Sequence, residues 1–225
     1  MTMNLPAWKR RGAILVMAAV VMLLLLGTAF ATTPSDAPIV TFRKIFKSSY
    51  PEFVEIKVMQ TGAGTYDIRQ LDDEASPAPF QIGPALTQRI FELTARLRNF
   101  KGLDLDVHRR IANLGEKTFR YEKAGESHEV KFNYTLDDSA TQLLNIFEGL
   151  TRLESDLSNL ERAMRYDRLG VNDAVRQVES DYNEKLLPEP ERLLPSLDRV
   201  ASDSAYIDIA RQRARALALR IRAAH

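Results

Sequence analysis

The strongest structural signal in this chain lies in residues 139–165, SATQLLNIFEGLTRLESDLSNLERAMR. Apolar residues alternate there at intervals of three and four: Leu143, Ile146, Leu150, Leu153, Leu157, Leu160 and Met164. This spacing predicts a helix that keeps one narrow apolar stripe against a partner. Leu144 and Phe147 widen the stripe in its first half, as is typical of a helix packed on a sheet. We therefore expect one long helix that begins on a globular core and ends as an arm of a helical hairpin.

Upstream, alternating segments predict a β-hairpin. Residues 54–58 (VEIKV) and 66–69 (YDIR) alternate apolar and polar side chains on either side of the loop 61–64 (TGAG). Two such segments around a glycine-containing loop are typical of a hairpin with one buried face. Residues 39–46 alternate more loosely and offer one further strand, and residues 71–84 are expected to form a loop.

A helix and a second hairpin follow. Pro84 stands where helix starts tolerate proline, and the apolar residues after it recur at helical spacing: Leu86, Ile90, Leu93, Leu97 and Phe100. Residues 119–122 and 130–134 alternate around a turn at 124–127. Asp137 or Asp138 is expected to cap the long helix. The order hairpin, helix, hairpin, helix makes two ββα units.

The C-terminal part is predicted to be helical. Residues 167–170 (DRLG) are expected to end the long helix, with Gly170 at a left-handed C′ position. Apolar residues then recur at Val171, Val175, Val178, Tyr182 and Leu186, so a second helix can fold back along the first. Gly149, within the long helix, is expected to admit the close approach of a neighbouring strand or helix. Along the long helix, i,i+4 ion pairs are predicted for Glu148/Arg152 and Glu161/Arg165.

These elements predict an α+β fold: an antiparallel sheet of four or five strands built from two ββα units, with the helices on one face. A helical C-terminal region with an antiparallel helical hairpin follows. The predicted boundaries are a signal peptide at 1–31, a tether at 32–38, an α+β domain at 39–150, and the helical hairpin and C-terminal helices at 151–225.

The N-terminal residues predict export. Lys9, Arg10 and Arg11 precede an apolar run from Ala13 to Leu26, and the segment closes on Ala29-Phe30-Ala31, the small residues of a cleavage site. We expect a periplasmic or secreted protein, cleaved after Ala31. The alternative is an uncleaved membrane anchor, since 20 apolar residues can just span a bilayer.

The composition excludes some classes of partner and site. Removing residues 1–31 takes away three of 31 basic residues and none of 30 acidic ones, which leaves a net charge of −2. A near-neutral chain gives no electrostatic reason to expect nucleic acid as a partner. The chain has no cysteine, which excludes thiol nucleophiles, zinc-thiolate sites and disulfides.

One group of residues has metal-binding chemistry. Asp104, Asp106 and His108 alternate in sequence, so on a strand all three would project from one face. The same residues also suit a short helix within 103–115, with Asp106 as its N-cap and Gly115 as its stop. We favour the helix, and therefore expect no bound metal.

Two classes of function remain. The favoured one is an exported, non-enzymatic protein without a cofactor, which acts by contact of its helical region or a sheet edge with another protein or with itself. The alternative is an extracytoplasmic small-molecule or metal-binding domain, hydrolytic in one version, that uses the acidic residues at 72–74 or at 104–108. Five arginines between 211 and 222 could contact anionic lipid or an acidic partner, or form a solvated helix face favoured by the helix dipole.

Overall fold

The computed structural model describes residues 37–224, and within them it shows an α+β fold built on a six-stranded antiparallel sheet. The predicted signal peptide and most of the predicted tether lie outside the described residues. The strands are β1 (Ile39–Ile45), β2 (Phe53–Met59), β3 (Ala63–Arg69), β4 (Ala78–Gln81), β5 (Glu116–Lys123) and β6 (Glu126–Phe132). Their order across the sheet is β4-β3-β2-β1-β5-β6.

The sheet has six strands, whereas four or five were predicted, and its strands are not divided into two separate ββα units. β1 is the central strand and pairs with both β2 and β5, so it joins the two predicted hairpins into one sheet. β4 lies in the segment predicted as the loop 71–84 and pairs with β3 at the edge of the sheet. Its four residues include Pro79, whose missing N–H is tolerated at an edge.

Within residues 37–224, five α-helices follow or interrupt the strands: α1 (Pro84–Arg96), α2 (Asp138–Tyr166), α3 (Val171–Asn183), α4 (Leu194–Ser202) and α5 (Asp208–Ala223). Two 3-10 turns lie at Arg98–Phe100 and Pro190–Leu193. α1 begins at Pro84, as predicted. Asp137 caps α2, because its side chain accepts a hydrogen bond from the backbone N–H of Ala140 at 2.9 Å.

The buried apolar residues form two clusters, and α2 contributes to both. The first cluster joins the inner face of the sheet to α1 and to the first half of α2, with the rings of Phe42 and Phe147 stacked at 5.3 Å between centroids. The second begins at Leu153 of α2 and includes α3, α4 and α5. The predicted boundary at 150/151 therefore falls between the clusters, inside one continuous helix. It remains a prediction.

The apolar stripe of α2 is buried unevenly. Leu153 and Leu160 are fully buried in the second cluster, where Val171, Val175 and Val178 of α3 also lie. Leu157, between them, is only partly buried. The opposite face of the sheet carries charged pairs, such as Arg43 with Glu55 at 2.6 Å and Arg69 with Asp67 at 3.0 Å.

Gly149 allows a close approach of the backbone, as expected, although the neighbour is a loop. A Cβ atom at position 149 would lie 2.8 Å from the carbonyl oxygen of Leu186 and 3.0 Å from Cδ of Pro188. The segment after α3 therefore packs directly on the backbone of α2, and this contact needs glycine.

The short helix predicted within residues 103–115 is wrong, because this segment has no regular secondary structure. Side chains bind its backbone instead. The Lys117 ammonium donates to the carbonyl oxygens of Leu114 and Gly115, and Asn133 binds both the N–H of Leu114 and the carbonyl of Ala112. These contacts satisfy groups that helical hydrogen bonds would otherwise have used.

Gly170 was also predicted wrongly. Its φ of −69° is right-handed, and it directly precedes α3. α2 ends at Tyr166, and the Asp167 carboxylate accepts a hydrogen bond from the N–H of Gly170 at 3.0 Å. The turn between the two helices is therefore stabilised by an aspartate side chain rather than by a left-handed glycine.

Candidate functional site

A groove of about 620 Å³ lies where the loop between β1 and β2 meets α2 and α3. Both apolar and polar side chains line it, and the polar ones come mostly from the helices. The lining residues that matter here are Lys44, Phe46, Tyr50, Glu148, Arg152, Ser155, Asp156, Asn159, Gln177 and Asp181. The groove is large enough for a small organic molecule.

Two buried carboxyl groups, Asp156 of α2 and Asp181 of α3, lie side by side in this groove. Their residues are 5% and 3% exposed. Burial, and then the charge and hydrogen bond of Asp181, raise the pKa of Asp156 to about 7. Two carboxylates in contact cannot both ionise cheaply, so Asp156 holds a proton up to about neutral pH.

The two carboxyl groups differ in their other contacts. Asp181 accepts hydrogen bonds from the Arg152 guanidinium at 3.3 Å and from the Gln177 amide at 3.1 Å. Oδ2 of Asp156 is buried, and no hydrogen-bond partner reaches it within residues 37–224. One buried carboxylate oxygen of the groove therefore lacks a donor.

Sequence reasoning missed this pair because neither aspartate belongs to a recognised motif. Asp156 follows Leu153 by three positions, and Asp181 follows Val178 by three, so each flanks the apolar stripe of its helix. A helix flank is ordinarily a solvated position. Only the packing of α3 on α2 turns the two flanks toward each other. The available signal was an aspartate at the same offset from the stripe in both helices.

The mouth of the groove carries a charged pair and an aromatic ring. Lys44 of β1 contacts Glu148 of α2 at 2.9 Å. Tyr50 is 88% exposed and precedes Pro51 through a cis peptide bond. Tyr50, Pro51, Ser155 and Asn159 also line a smaller groove of about 250 Å³ toward β3. The exposed ring of Tyr50 therefore borders both grooves.

A second buried charge cluster joins the helical region to the sheet. Arg192 contacts Glu154 of α2 at 2.6 Å, and its guanidinium lies 5.6 Å from the ring centroid of Phe80 in β4. Glu189 accepts a hydrogen bond from the N–H of Gly83 at 2.8 Å. Burial raises the pKa of Glu154 against the opposing charge of Arg192. We interpret this cluster as structural, since Arg192 pairs with Glu154 and Glu189 binds the backbone just before α1.

The turn between α2 and α3 exposes apolar side chains. Tyr166 and Leu169 are each 76% exposed, and Arg165 and Arg168 flank them in sequence. The Arg165 guanidinium lies 5.8 Å from the ring centroid of Tyr166. We call residues 165–169 the hairpin tip. Large exposed apolar side chains grouped with arginine are typical of protein contact sites.

The metal-ligand candidates lie in the irregular segment between α1 and β5. His108 Nε2 contacts Asp104 Oδ2 at 2.7 Å, and both side chains are well exposed. Asp106 accepts hydrogen bonds from the N–H groups of His108 and Asn133 and does not cap a helix. Hydrogen bonding to Asp104 raises the pKa of His108. No group of three histidine, aspartate or glutamate side chains suited to a metal occurs within residues 37–224.

The other acidic candidates, residues 72–74, lie in the turn after β3. The Asp73 carboxylate accepts a hydrogen bond from the N–H of Gln70 at 3.1 Å, so it stabilises that turn. Asp73 also lines the smaller groove beside Tyr50. Residues 104–108 line neither this smaller groove nor the main one. The two groups of acidic candidates therefore do not share either groove.

The arginines of α5 are directed at their own chain. Toward α3, Arg213 contacts Asn172 and Glu179, and Arg220 contacts Glu179 and Asn183. Toward α4, Arg215 donates to the carbonyl oxygen of Ala201, and Arg222 contacts Asp198. Arg211 contacts Asp208 of α5 itself. α5 therefore uses its positive charge to hold α3 and α4.

Comparison of the chain with the models of known protein families and with curated proteins finds no match. Within residues 37–224, no helix combines the length and the apolar character needed to cross a bilayer.

Proposed function

We propose that this is an exported, non-enzymatic protein that acts by contact, and that its hairpin tip binds an acidic surface of another protein. The observation that carries the proposal is the 76% exposure of both Tyr166 and Leu169 at the end of a long, well-packed helix pair. Burying two large side chains of this kind supplies a few kcal/mol of binding free energy.

The charges at the tip favour an acidic partner. Arg162, Arg165 and Arg168 lie along the end of α2 and the following turn. Arg168 has no ion-pair partner within residues 37–224. The arginines of α5, by contrast, are engaged with their own chain. The tip is therefore the more available positive surface, and arginine beside exposed aromatic and aliphatic groups is the usual composition of a contact site.

Site-specific photocrosslinking in the living source cell tests the proposal. A photoreactive residue at position 169 is expected to give a discrete crosslinked band, and the same residue at Leu219, which is 61% exposed on α5, is expected to give none. The double charge reversal Arg165→Glu, Arg168→Glu should abolish the band at 169. Equal crosslinking at 169 and 219 would contradict the proposal. A band at twice the mass of the chain would identify the partner as a second copy.

A second candidate is a small-molecule-binding domain, and the groove beside Asp156 and Asp181 is the observation that favours it. It would bind its ligand through groups that α2 and α3 hold rigidly. Ser155 lines both grooves. Ser155→Trp would fill this space, and loss of ligand binding in that variant, with an unchanged melting temperature, would support the candidate.

A further inference from the structure

The carboxyl pair in the main groove is satisfied from one side only. Asp181 receives donors from Arg152 and Gln177, whereas the buried Oδ2 of Asp156 receives none within residues 37–224. When Asp156 is ionised, a buried carboxylate oxygen without a donor destabilises the folded protein. A ligand that brings hydrogen-bond donors to this oxygen would remove that cost.

The charge of the groove indicates which donor it takes. The charged and titratable groups that line the groove with Asp156 come from every element around it: Lys44 of β1, Tyr50 of the β1–β2 loop, Glu148 and Arg152 of α2, and Asp181 of α3. Lys44 pairs with Glu148, and Arg152 pairs with Asp181. With both aspartates ionised, the two cations and three anions leave one negative charge, which one cation would neutralise.

We propose that the groove binds a small organic cation whose primary ammonium group donates hydrogen bonds to Asp156 and Asp181. This inference rests on the second candidate function, small-molecule binding, and is independent of the hairpin tip. An ammonium group has three donors and no acceptor, which suits a site with two carboxylates and too few donors. Phe46, Tyr50 and Pro51 line the same groove and offer apolar contacts for an aliphatic stem.

A metal ion is a poorer match than an ammonium group. Calcium and magnesium take six or more oxygen ligands, several of them commonly carboxylates. Within residues 37–224, no three histidine, aspartate or glutamate side chains are placed to hold a metal. Two carboxylates with a nearby serine hydroxyl and asparagine amide are sufficient for the three hydrogen atoms of an ammonium group.

Binding of the cation should be linked to release of a proton. Because burial and Asp181 raise the pKa of Asp156 to about 7, Asp156 holds a proton at pH 6 and has largely lost it at pH 8. The ammonium takes the place of this proton. The affinity is therefore expected to be about tenfold higher at pH 8 than at pH 6.

Isothermal titration calorimetry of the purified full-length protein tests the inference. The probes are three four-carbon molecules of similar length: 1,4-diaminobutane, the neutral 1,4-butanediol and the dianion succinate. We expect 1,4-diaminobutane to bind about tenfold more tightly at pH 8 than at pH 6, with release of close to one proton at pH 6. The diol and succinate should bind at least tenfold more weakly.

Two substitutions serve as the site variant and its control. Asp156→Asn keeps the shape of the side chain but removes its charge, so it should weaken diamine binding at pH 8 at least tenfold and abolish the pH dependence. Asp173 is an exposed aspartate on α3, so Asp173→Asn should change neither the affinity for the diamine nor its pH dependence. Melting temperatures of both variants show whether the fold is intact.

The outcomes separate this inference from the function it rests on. Preferential binding of the diol or of succinate would overturn the ammonium inference and leave small-molecule binding standing. Absence of binding by all three probes would overturn the inference and remove the support for that function. Diamine binding that survives Asp156→Asn unchanged would show that the ammonium binds elsewhere, which also overturns it.

Discussion

The buried carboxyl pair should make the stability of this protein depend on pH. Burial and the neighbouring Asp181 raise the pKa of Asp156 from 3.8 to about 7. The folded protein therefore holds a proton at Asp156 over a pH range in which the unfolded chain has already lost it. By linkage, the free energy of unfolding falls as the pH rises between these two values. The contribution is fully present below about pH 4 and is lost above about pH 7.

The size of this change in unfolding free energy follows from the raised pKa of Asp156. Each pH unit within this window changes the free energy of unfolding by about 1.4 kcal/mol, so Asp156 contributes about 2–3 kcal/mol more at pH 5 than at pH 8. Burial also raises the pKa of Glu154 and Glu189, whose contributions have the same sign. A change of this size is a large share of a typical stability of about 5–15 kcal/mol.

Urea unfolding at pH 5 and at pH 8 measures this pH dependence of the free energy of unfolding. The wild-type protein should be the more stable at pH 5, and Asp156→Asn should lose about 2–3 kcal/mol of this difference, because asparagine does not titrate. Asp173→Asn, exposed on α3, should keep the full difference. If wild type and Asp156→Asn show the same change between pH 5 and pH 8, Asp156 is not the source and the reasoning about its proton is refuted.

Three further predictions concern α2, each tested by alanine substitution. Leu160→Ala should lower the free energy of unfolding by urea by about 2–5 kcal/mol, because Leu160 is fully buried. Leu169 is exposed, so Leu169→Ala should cost under about 0.5 kcal/mol. Equal losses would mean that the interface of α2 with α3 is not packed. Gly149→Ala should lower the melting temperature, at a cost of about 1–3 kcal/mol, because its Cβ would meet a backbone carbonyl at 2.8 Å; a rise in melting temperature, as alanine gives in an uncrowded helix, would count against that contact. Asp137→Ala should cost about 1 kcal/mol through the lost cap, measured against Asp138→Ala, and identical losses would place the cap elsewhere.

The sequence by itself determined the elements whose causes are local. The spacing of Leu143, Leu150, Leu153 and Leu160 predicted α2, because a 3.6-residue period places these side chains on one face. Pro84 and Asp137 predicted two helix starts, since each acts on the backbone of its own first turn. The α+β class followed from such local periods.

The pairing of strands was decided by tertiary structure. β1 alternates only loosely, and β4 contains a proline, so neither has a strong local signal. Their places come from the partners that need them: β1 completes the hydrogen bonds of β2 and β5, and β4 pairs with the outer edge of β3. Residues 103–115 are irregular because Lys117 and Asn133, which follow them in sequence, bind their backbone.

The charged groups depended most on packing. The predicted i,i+4 pairs along α2 gave way to partners from other elements, since Glu148 contacts Lys44, Arg152 contacts Asp181 and Glu161 contacts Arg199. A surface pair within one helix is worth a few tenths of a kcal/mol, so a better-placed tertiary partner readily replaces it. The contact of Asp156 with Asp181 is likewise created by tertiary packing. Each aspartate is ordinary in sequence, and only the burial and like charge created when α3 packs on α2 raise the pKa of Asp156.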